Sequence, residues 1–233
     1  MTEPVRLLCF PYAGGNARHY VRWRPPLGPD VEVHPVQLPG HGERIGEPAR
    51  HRLDEVLADV RGRVAGLVDR PIALFGHSLG ALLAFECARM LVGEFDVRPV
   101  RLVVSGHRAP HLPLREEVLH HLPDAEFLER LGARSRTLRA LTDPDFRRVL
   151  LPGLRADHAV SETYAFVAGP RLTCPVTALA GEEDADADVA EVSAWQRHTT
   201  GPFELVPFPG DHFFVDDSWE AVAALVGERL RPR

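Results

Sequence analysis

The chain has 233 residues, which is enough for one sizeable hydrophobic core and short for two independent ones. Its net charge of −6 and isoelectric point near 6.1 argue against a general nucleic-acid-binding protein, because such domains usually carry a basic excess. All 27 residues counted as Lys or Arg are arginine, which excludes a Schiff-base lysine and a Walker-type phosphate-binding lysine.

Short apolar runs alternate with helical patterns along the chain. Strands are predicted near residues 6–10, 31–38, 71–76, 100–105, 174–180 and 203–208. The clearest amphipathic helix has apolar residues at steps of three and four from residue 53 to residue 68. The last predicted helix begins at Ser218, a candidate N-cap. This alternation predicts a mostly parallel α/β sheet flanked by helices.

One segment without strand patterns interrupts the alternation. Residues 110–160 contain only short amphipathic pieces separated by prolines. A connection of this length is too long for an ordinary loop. We interpret it as a helical insertion that forms a lid over a single core domain made of residues 1–109 and 161–233. The alternative is a set of additional helices packed rigidly on the core.

The stretch PIALFGHSLGALLAFECARM contains the strongest signal for function. The apolar run 72–75 is typical of a strand buried on both faces, and the apolar residues after Ser78 recur at helical steps. A sharp strand-to-helix turn at Ser78 requires small residues two positions before and after it, which Gly76 and Gly80 provide. The pattern is a G-x-S-x-G nucleophile elbow. The alternative is a glycine-rich turn whose serine only caps the helix.

A serine nucleophile needs a base, and the base needs an acid that orients it. His212 follows the last predicted strand, where α/β-hydrolases place the triad histidine. His77 is assigned to the turn itself, because adjacent residues on an elbow point apart. His120 and His121 lie in the insertion without metal-ligand spacing.

The acid is expected in the loop after the fifth predicted strand, because the triad order in α/β-hydrolases is serine, acid, histidine. Five carboxylates crowd this loop: Glu182, Glu183, Asp184, Asp186 and Asp188. Spacing alone does not choose among them.

Six stretches resemble the stand-alone, type II thioesterases that accompany polyketide and nonribosomal peptide synthetases. They are LLCFPYAGGNARHY, VQLPGHGERIGEP, FGHSLGALLAFECARML, LPGLRADHAVSETY, CPVTALAGEEDADADV and SAWQRHTTGPFELVPFPGDHFF, which span essentially the whole chain. The resemblance implies an α/β-hydrolase fold and a catalytic acid in a G-x-x-D turn, which residues 181–184 match. We therefore expect a triad of Ser78, His212 and Asp184, with Asp186 as the second candidate for the acid.

The sequence departs from the family pattern at three places. His41 stands where arginine is common. No proline follows Asp184, so the acidic loop is expected to be looser than in the family. Asp211 stands where glycine is common, and its charge is expected to raise the pKa of His212. None of these changes removes a catalytic group.

The resemblance implies a serine thioesterase that hydrolyses acyl groups from the phosphopantetheine arm of acyl- or peptidyl-carrier domains. Its role would be editing or offloading, through an acyl-Ser78 intermediate. The backbone N–H groups of Ala13 and Leu79 are the expected oxyanion hole. Gly14 and Gly15 would let the backbone approach the substrate, or would serve only as a tight turn. No metal and no other cofactor is predicted.

A basic segment suggests where a carrier would bind. Residues 130–155 hold seven arginines against two aspartates, a net charge of +5. Carrier domains are commonly acidic, so Arg134, Arg136 and Arg139 are candidate carrier contacts. The alternative is an ordinary solvated helical face.

The sequence carries no signal for export or for a membrane partner. Cys9, Cys87 and Cys174 have apolar neighbours and are odd in number, which predicts core residues in a reducing compartment. The first ten residues contain no long apolar stretch, and no segment reaches the roughly 18 apolar residues of a membrane span. We expect a cytoplasmic monomer.

Three other functions compete with this interpretation. A carboxylesterase or lipase would share the triad but act on free oxygen esters. A catalytically silent hydrolase-fold binding protein would lack a triad member, whereas all three candidates are present here. A macrocyclising release domain would use an internal amine or hydroxyl in place of water.

Overall fold

A parallel sheet forms the centre of the molecule in the computed structural model, which describes residues 3–115, 117–132 and 143–231. Its six strands have the order β2-β1-β3-β4-β5-β6. They are β1 Val5–Phe10, β2 Val31–Pro35, β3 Ile72–His77, β4 Arg101–Ser105, β5 Val176–Gly181 and β6 Phe203–Phe208. Every neighbouring pair is parallel, as predicted.

Helices lie between successive strands and after the last strand. They are α1 Arg24–Leu27, α2 Leu53–Val64, α3 Leu79–Phe95, α4 Asp124–Gly132, α5 Pro144–Glu162, α6 Val189–Ser193, α7 Phe214–Asp217 and α8 Trp219–Leu230. Short 3₁₀ segments occupy Ala17–Trp23, Gly42–Arg44 and Ala194–His198. This arrangement of helices around a parallel sheet confirms the predicted α/β-hydrolase class.

Three predicted boundaries or caps were wrong. Strand β2 ends at Pro35 and not at residue 38, and the Val36 N–H makes one further hydrogen bond of 2.9 Å to the carbonyl of Cys9 on β1. Helix α2 ends at Val64 and not at residue 68, where Gly66 makes further helix unfavourable. Ser218 precedes α8, but its φ of −110° and ψ of 27° lie outside the extended region, and its side chain makes no capping hydrogen bond.

Alternating side chains bury both faces of the sheet. On β1, Leu8 and Phe10 pack in the cluster formed with α2 and α3, whereas Leu7 and Cys9 pack in the cluster formed with α8. All six residues of β3 are buried, as expected for a central parallel strand. The strands are therefore fixed in the core, and the loops at their carboxyl ends are free to carry function.

The insertion between β4 and β5 is helical and has a hydrophobic cluster of its own. This cluster contains Leu119, Phe127, Leu131, Leu151 and Leu154. Arg155 of α5 donates hydrogen bonds of 2.6 and 2.7 Å to the carbonyls of His120 and Leu122. The segment before α4 is thus tied to α5. Helix α5 ends at Glu162, beyond the predicted limit at residue 160.

The described residues contain no helix that combines the length and the apolar character needed to cross a bilayer. Cys9, Cys87 and Cys174 are all buried free thiols, in agreement with their prediction as core residues.

Candidate active site

Ser78 lies at the turn between β3 and α3, with a φ of 53° and a ψ of −124°. A positive φ is costly for a serine and persists only where the surroundings impose it. The N–H of Ser78 donates a 2.8 Å hydrogen bond to the carbonyl of Ser105 at the end of β4. Ser78 is partly exposed, whereas His77 and Leu79 on either side are buried.

The two glycines of the elbow are required by the close approach of three backbone segments. A Cβ on Gly76 would lie 1.9 Å from the carbonyl oxygen of Gly80. A Cβ on Gly80 would lie 2.2 Å from the carbonyl oxygen of Phe10 at the end of β1. These neighbours are backbone atoms that cannot rotate away, so only glycine fits at either position.

His212 lies in the loop between β6 and α7, and its Nδ1 is 2.9 Å from Oδ2 of Asp184. Asp184 follows β5, and its side chain is fully buried. Its second oxygen, Oδ1, accepts the backbone N–H groups of Asp186 and Ala187 at 2.9 and 3.1 Å. The ring of His212 therefore faces Asp184, and Asp186 contributes its backbone to the same carboxylate.

Three carboxylates determine the proton affinity of His212. Burial lowers the pKa of His212, but the hydrogen bond to Asp184 and the charges of Asp184, Asp186 and Asp211 outweigh burial and raise it above its ordinary value. The expected effect of Asp211 is thus confirmed in direction.

His77 supports the loop that carries His212. Its Nε2 is 2.8 Å from the carbonyl oxygen of His212, and its Nδ1 is 2.9 Å from Oγ of Ser105. Burial, followed by the charge of His212, lowers the pKa of His77 well below its usual range, so the ring is neutral. Because a carbonyl only accepts, Nε2 carries the hydrogen and Nδ1 accepts from the serine hydroxyl. The sequence places His77 in the turn but gives no signal for its contact with the backbone of His212.

The turn after β1 approaches the elbow from the neighbouring strand. The N–H of Gly15 donates to the carbonyl of Tyr12 at 2.8 Å, and Gly14 has a φ of 70°. The N–H of Gly14 donates to Oδ2 of Asp157 at 2.7 Å. Ala13 lines the same cavity as Ser78.

The second expected oxyanion donor lies on the elbow. Leu79 is the first residue of α3, so its N–H has no acceptor within the helix.

The cavity beside Ser78 has a volume of about 150 Å³. Its walls include Leu119, Leu131, Leu154, His158, Ser161 and Glu162, all from the insertion. A wider depression of about 630 Å³ next to β2 and α2 contains none of the predicted site residues. The predicted serine, base and acid loops thus meet at one small cavity, and α5 forms part of its wall.

The model of the Thioesterase domain family matches residues 5–230. The chain belongs to this family. Its relative Thioesterase PikA5 of Streptomyces venezuelae is 41% identical over 97% of this chain and 81% of that protein.

Solved structures of thioesterases share the fold. ClbQ from the colibactin NRPS/PKS pathway has a TM-score of 0.93 and 31% identity, covering 98% of this chain and 97% of that one. The type II thioesterase BorB from the borrelidin biosynthetic cluster has a TM-score of 0.87 and 34% identity, covering 99% and 94%.

The buried carboxylate of Glu162 joins two parts of the cavity wall of this thioesterase through hydrogen bonds. Glu162 accepts hydrogen bonds from the backbone N–H groups of Leu119 and His120, and its oxygens lie 2.6 Å from Nδ1 of His120 and 3.2 Å from Nδ1 of His158. Burial raises the pKa of Glu162, but the hydrogen bonds from His158 and His120 lower it to about 2. An ionised carboxylate therefore holds the start of the insertion against α5.

Among the described residues of the thioesterase, one group of side chains has its ligand atoms close enough together to hold a metal ion. Ligand atoms of Asp184, Asp186 and His212 lie within 4.8 Å of one another. Both oxygens of Asp184 already accept hydrogen bonds, one of them from Nδ1 of His212. Hydrogen bonds within the chain therefore account for the proximity of these groups.

Arg134, Arg136 and Arg139 lie outside the described residues. Other arginines of the same basic segment form ion pairs within the chain: Arg130 with Glu117 at 3.0 Å, Arg148 with Asp145 at 3.2 Å and Arg155 with Asp124 at 2.6 Å.

The elbow glycines give a stability prediction. Gly76→Ala should destabilise the thioesterase by more than about 4 kcal/mol or prevent folding, because the added methyl group overlaps backbone. Gly93→Ala is the matched control: Gly93 lies within α3, and a Cβ there meets no atom within 4 Å outside the helix's own backbone. It should stabilise the protein by up to about 1 kcal/mol. Urea denaturation measures both, and similar stability of the two variants would contradict the steric explanation.

The charge beside His212 gives a pH prediction. A histidine must be neutral to take a proton, so kcat/KM should fall when acidification protonates His212. Because the pKa of His212 is raised, this fall begins at a higher pH than for an ordinary histidine. Asp211→Asn removes one charge that raises this pKa, while its side-chain oxygen can still accept the 2.8 Å hydrogen bond from Phe213. The acidic limb of the pH profile should therefore move to lower pH.

Glu228→Gln is the control for this experiment, since it removes the same charge from an exposed position on α8. Its pH profile should match that of the wild type. An acidic limb that stays in place in Asp211→Asn would show that Asp211 does not act on the base.

Proposed function

We propose that this thioesterase hydrolyses acyl groups from the phosphopantetheine arm of carrier domains in polyketide or nonribosomal peptide biosynthesis. The observation that carries the reaction type is the hydrogen bond from His212 to buried Asp184 at the cavity that Ser78 also lines. The substrate class is supported by the relatives, since ClbQ comes from an NRPS/PKS pathway and BorB is a type II thioesterase.

Acylation starts with attack by Ser78. Its Oγ attacks the thioester carbonyl carbon while Nε2 of His212 takes the hydroxyl proton. Asp184 holds the ring with Nδ1–H directed at its carboxylate and stabilises the imidazolium that forms. The tetrahedral intermediate then collapses, the carbon–sulfur bond breaks, and His212 gives its proton to the leaving thiolate. The product is an acyl ester of Ser78 and a free carrier thiol.

Backbone N–H groups stabilise the negative oxygen that develops in this step. Leu79 offers a donor at the start of α3, and Ala13 offers one from the turn after β1. The N–H groups of Gly14 and Gly15 are already bonded to Asp157 and Tyr12, which supports Ala13 as the donor from this turn.

Water completes the reaction. His212 takes a proton from a water molecule as its oxygen attacks the acyl-Ser78 carbonyl, and then returns that proton to Oγ as the ester bond breaks. The carboxylic acid leaves, and the serine is regenerated.

The first experiment compares hydrolysis of a short acyl-carrier thioester with that of a matched oxygen ester. Wild type should release the carrier thiol and prefer the thioester, and Ser78→Ala should lose activity by about 10⁴-fold or more. Carrier mass and free thiol give the readout. Ser193→Ala, a serine on α6, is the control and should retain full activity.

Two results would contradict the proposal in different parts. Hydrolysis of the oxygen ester without hydrolysis of the thioester would agree with the serine mechanism but would exclude the acyl-carrier thioester as the substrate. Full activity of Ser78→Ala would exclude Ser78 as the nucleophile.

The basic segment is the proposed contact for the carrier. Reversing Arg134 and Arg139 to glutamate should raise KM for the acyl-carrier roughly 10-fold and leave KM for an acyl-N-acetylcysteamine thioester unchanged, because only the carrier brings acidic groups. The matched control reverses Arg52 and Arg61, two exposed arginines outside this segment, and should leave both KM values unchanged. Equal changes for both substrates would argue against a carrier contact.

A further inference from the structure

Helix α5 of the insertion packs directly on the turn that carries Ala13. A Cβ on Gly14 would lie 2.8 Å from Cδ1 of Leu154. A Cβ on Gly153 would lie 2.8 Å from the carbonyl oxygen of Gly40, in the loop after β2. The helix thus meets two loops of the core with no space for a methyl group between them.

Asp157 adds a polar link at this contact. Its Oδ2 accepts the N–H of Gly14 at 2.7 Å and lies 2.9 Å from Nε2 of His41. The side chains of Asp157 and His41 are only 6% and 9% exposed. A carboxylate in such a place needs hydrogen bonds and a positive partner, because burial strongly disfavours an unpaired charge.

His41 can supply this positive charge. Its Nδ1 is 3.0 Å from the carbonyl oxygen of Pro39, which only accepts, so Nδ1 carries a hydrogen. Burial lowers the pKa of His41, but the contact with Asp157 and the Pro39 carbonyl outweigh burial and raise it. Nε2 of His41 lies 2.9 Å from Oδ2 without meeting hydrogen-bond geometry, so the attraction between the two groups depends on protonation of the His41 ring.

The hydrogen bond to Gly14 acts on the shape of the turn. Gly14 is its third residue with a φ of 70°, and Ala13 before it has no positive φ, which makes this a type II turn. The central peptide of such a turn can reverse its orientation when glycine is the third residue. The Gly14 N–H belongs to this peptide, so its bond to Asp157 selects one orientation.

We infer that Asp157 is a positioning residue for the oxyanion hole. Its hydrogen bond to Gly14 holds the turn that presents the Ala13 N–H in one conformation, and His41 balances its buried charge. This inference rests on the proposed function, in which Ala13 stabilises the oxyanion. It couples the insertion to the chemistry, because a residue of α5 fixes the Ala13–Gly14 peptide, which directly follows the Ala13 donor.

Two variants of Asp157 separate the acceptor from the charge. Asp157→Ala removes the acceptor for Gly14, and its kcat for an acyl-carrier thioester should fall by about 10- to 100-fold, the effect of a small misplacement in an active site. KM should stay within about twofold, because the turn acts on the transition state. Asp157→Asn keeps an oxygen for Gly14 and should recover most of kcat.

A tetrahedral adduct reports on the oxyanion hole directly. In a trifluoromethyl ketone analogue of the acyl-pantetheine, Oγ of Ser78 bonds to the carbonyl carbon, the C=O electron pair moves to oxygen, and the hydroxyl proton passes to His212. Asp157→Ala should bind this analogue more weakly by the same factor as its loss of kcat. A methylene analogue that forms no adduct should bind all variants equally.

Val160→Ala is the control on the same helix. It removes buried methyl groups from the core cluster that contains α3 and leaves the hydrogen bond between Asp157 and Gly14 in place. It should lower Tm while kcat and adduct affinity stay within about twofold of wild type.

The inference is overturned if Asp157→Ala keeps the kcat and adduct affinity of the wild type. It is also overturned if Val160→Ala loses kcat and adduct affinity in the same proportion as Asp157→Ala, since Asp157 would then act only through stability. A wild-type protein that neither cleaves the thioester nor forms the adduct would instead overturn the proposed function.

Discussion

The close approach of backbone at the elbow is the constraint on which the rest of the site depends. Gly76, Gly80 and the carbonyl of Phe10 meet with no room for a side chain, so β1, β3 and α3 have a single relative arrangement. This arrangement holds Ser78 at a positive φ and raises it above the sheet. Because β1 lies beside β3, the turn after β1 is brought next to the serine by the strand order itself.

The remaining parts of the site are held by hydrogen bonds that run between loops. His77 forms a hydrogen bond with the backbone carbonyl of His212. The Asp184 carboxylate accepts backbone N–H groups of its own loop, and Asp157 of α5 accepts the N–H of Gly14. Such contacts let loops from several strands keep a fixed geometry without regular secondary structure. Each bond is buried or half-buried, which strengthens it relative to a contact in water.

Local physical rules predicted the parts of the structure that depend on neighbours in the chain. The bounds of β6 matched the prediction, and Ser78 followed from the small residues on either side of it. Asp184 required the family resemblance, because its loop holds several carboxylates with no distinguishing spacing. The contacts of His41 and Asp157 were not predictable, since they arise where α5 packs on two loops that are distant in sequence. The prediction that the Ser218 side chain caps α8 was wrong, because the backbone of Ser218 is not extended.

In the proposed mechanism, the electrostatics of His212 combine two opposing requirements. Asp184 must lie close to His212 to orient the ring and stabilise its charged form, and this necessarily raises the affinity of the ring for protons. Asp186 and Asp211 act in the same direction without bonding to Nδ1, so they strengthen the base while reducing its neutral fraction at a given pH. Neutral His77, buried beneath the same loop, holds the backbone of His212 without adding a competing positive charge. In the proposed mechanism, the acidic loop after β5 thus orients the His212 ring and also raises the pH below which the ring is protonated.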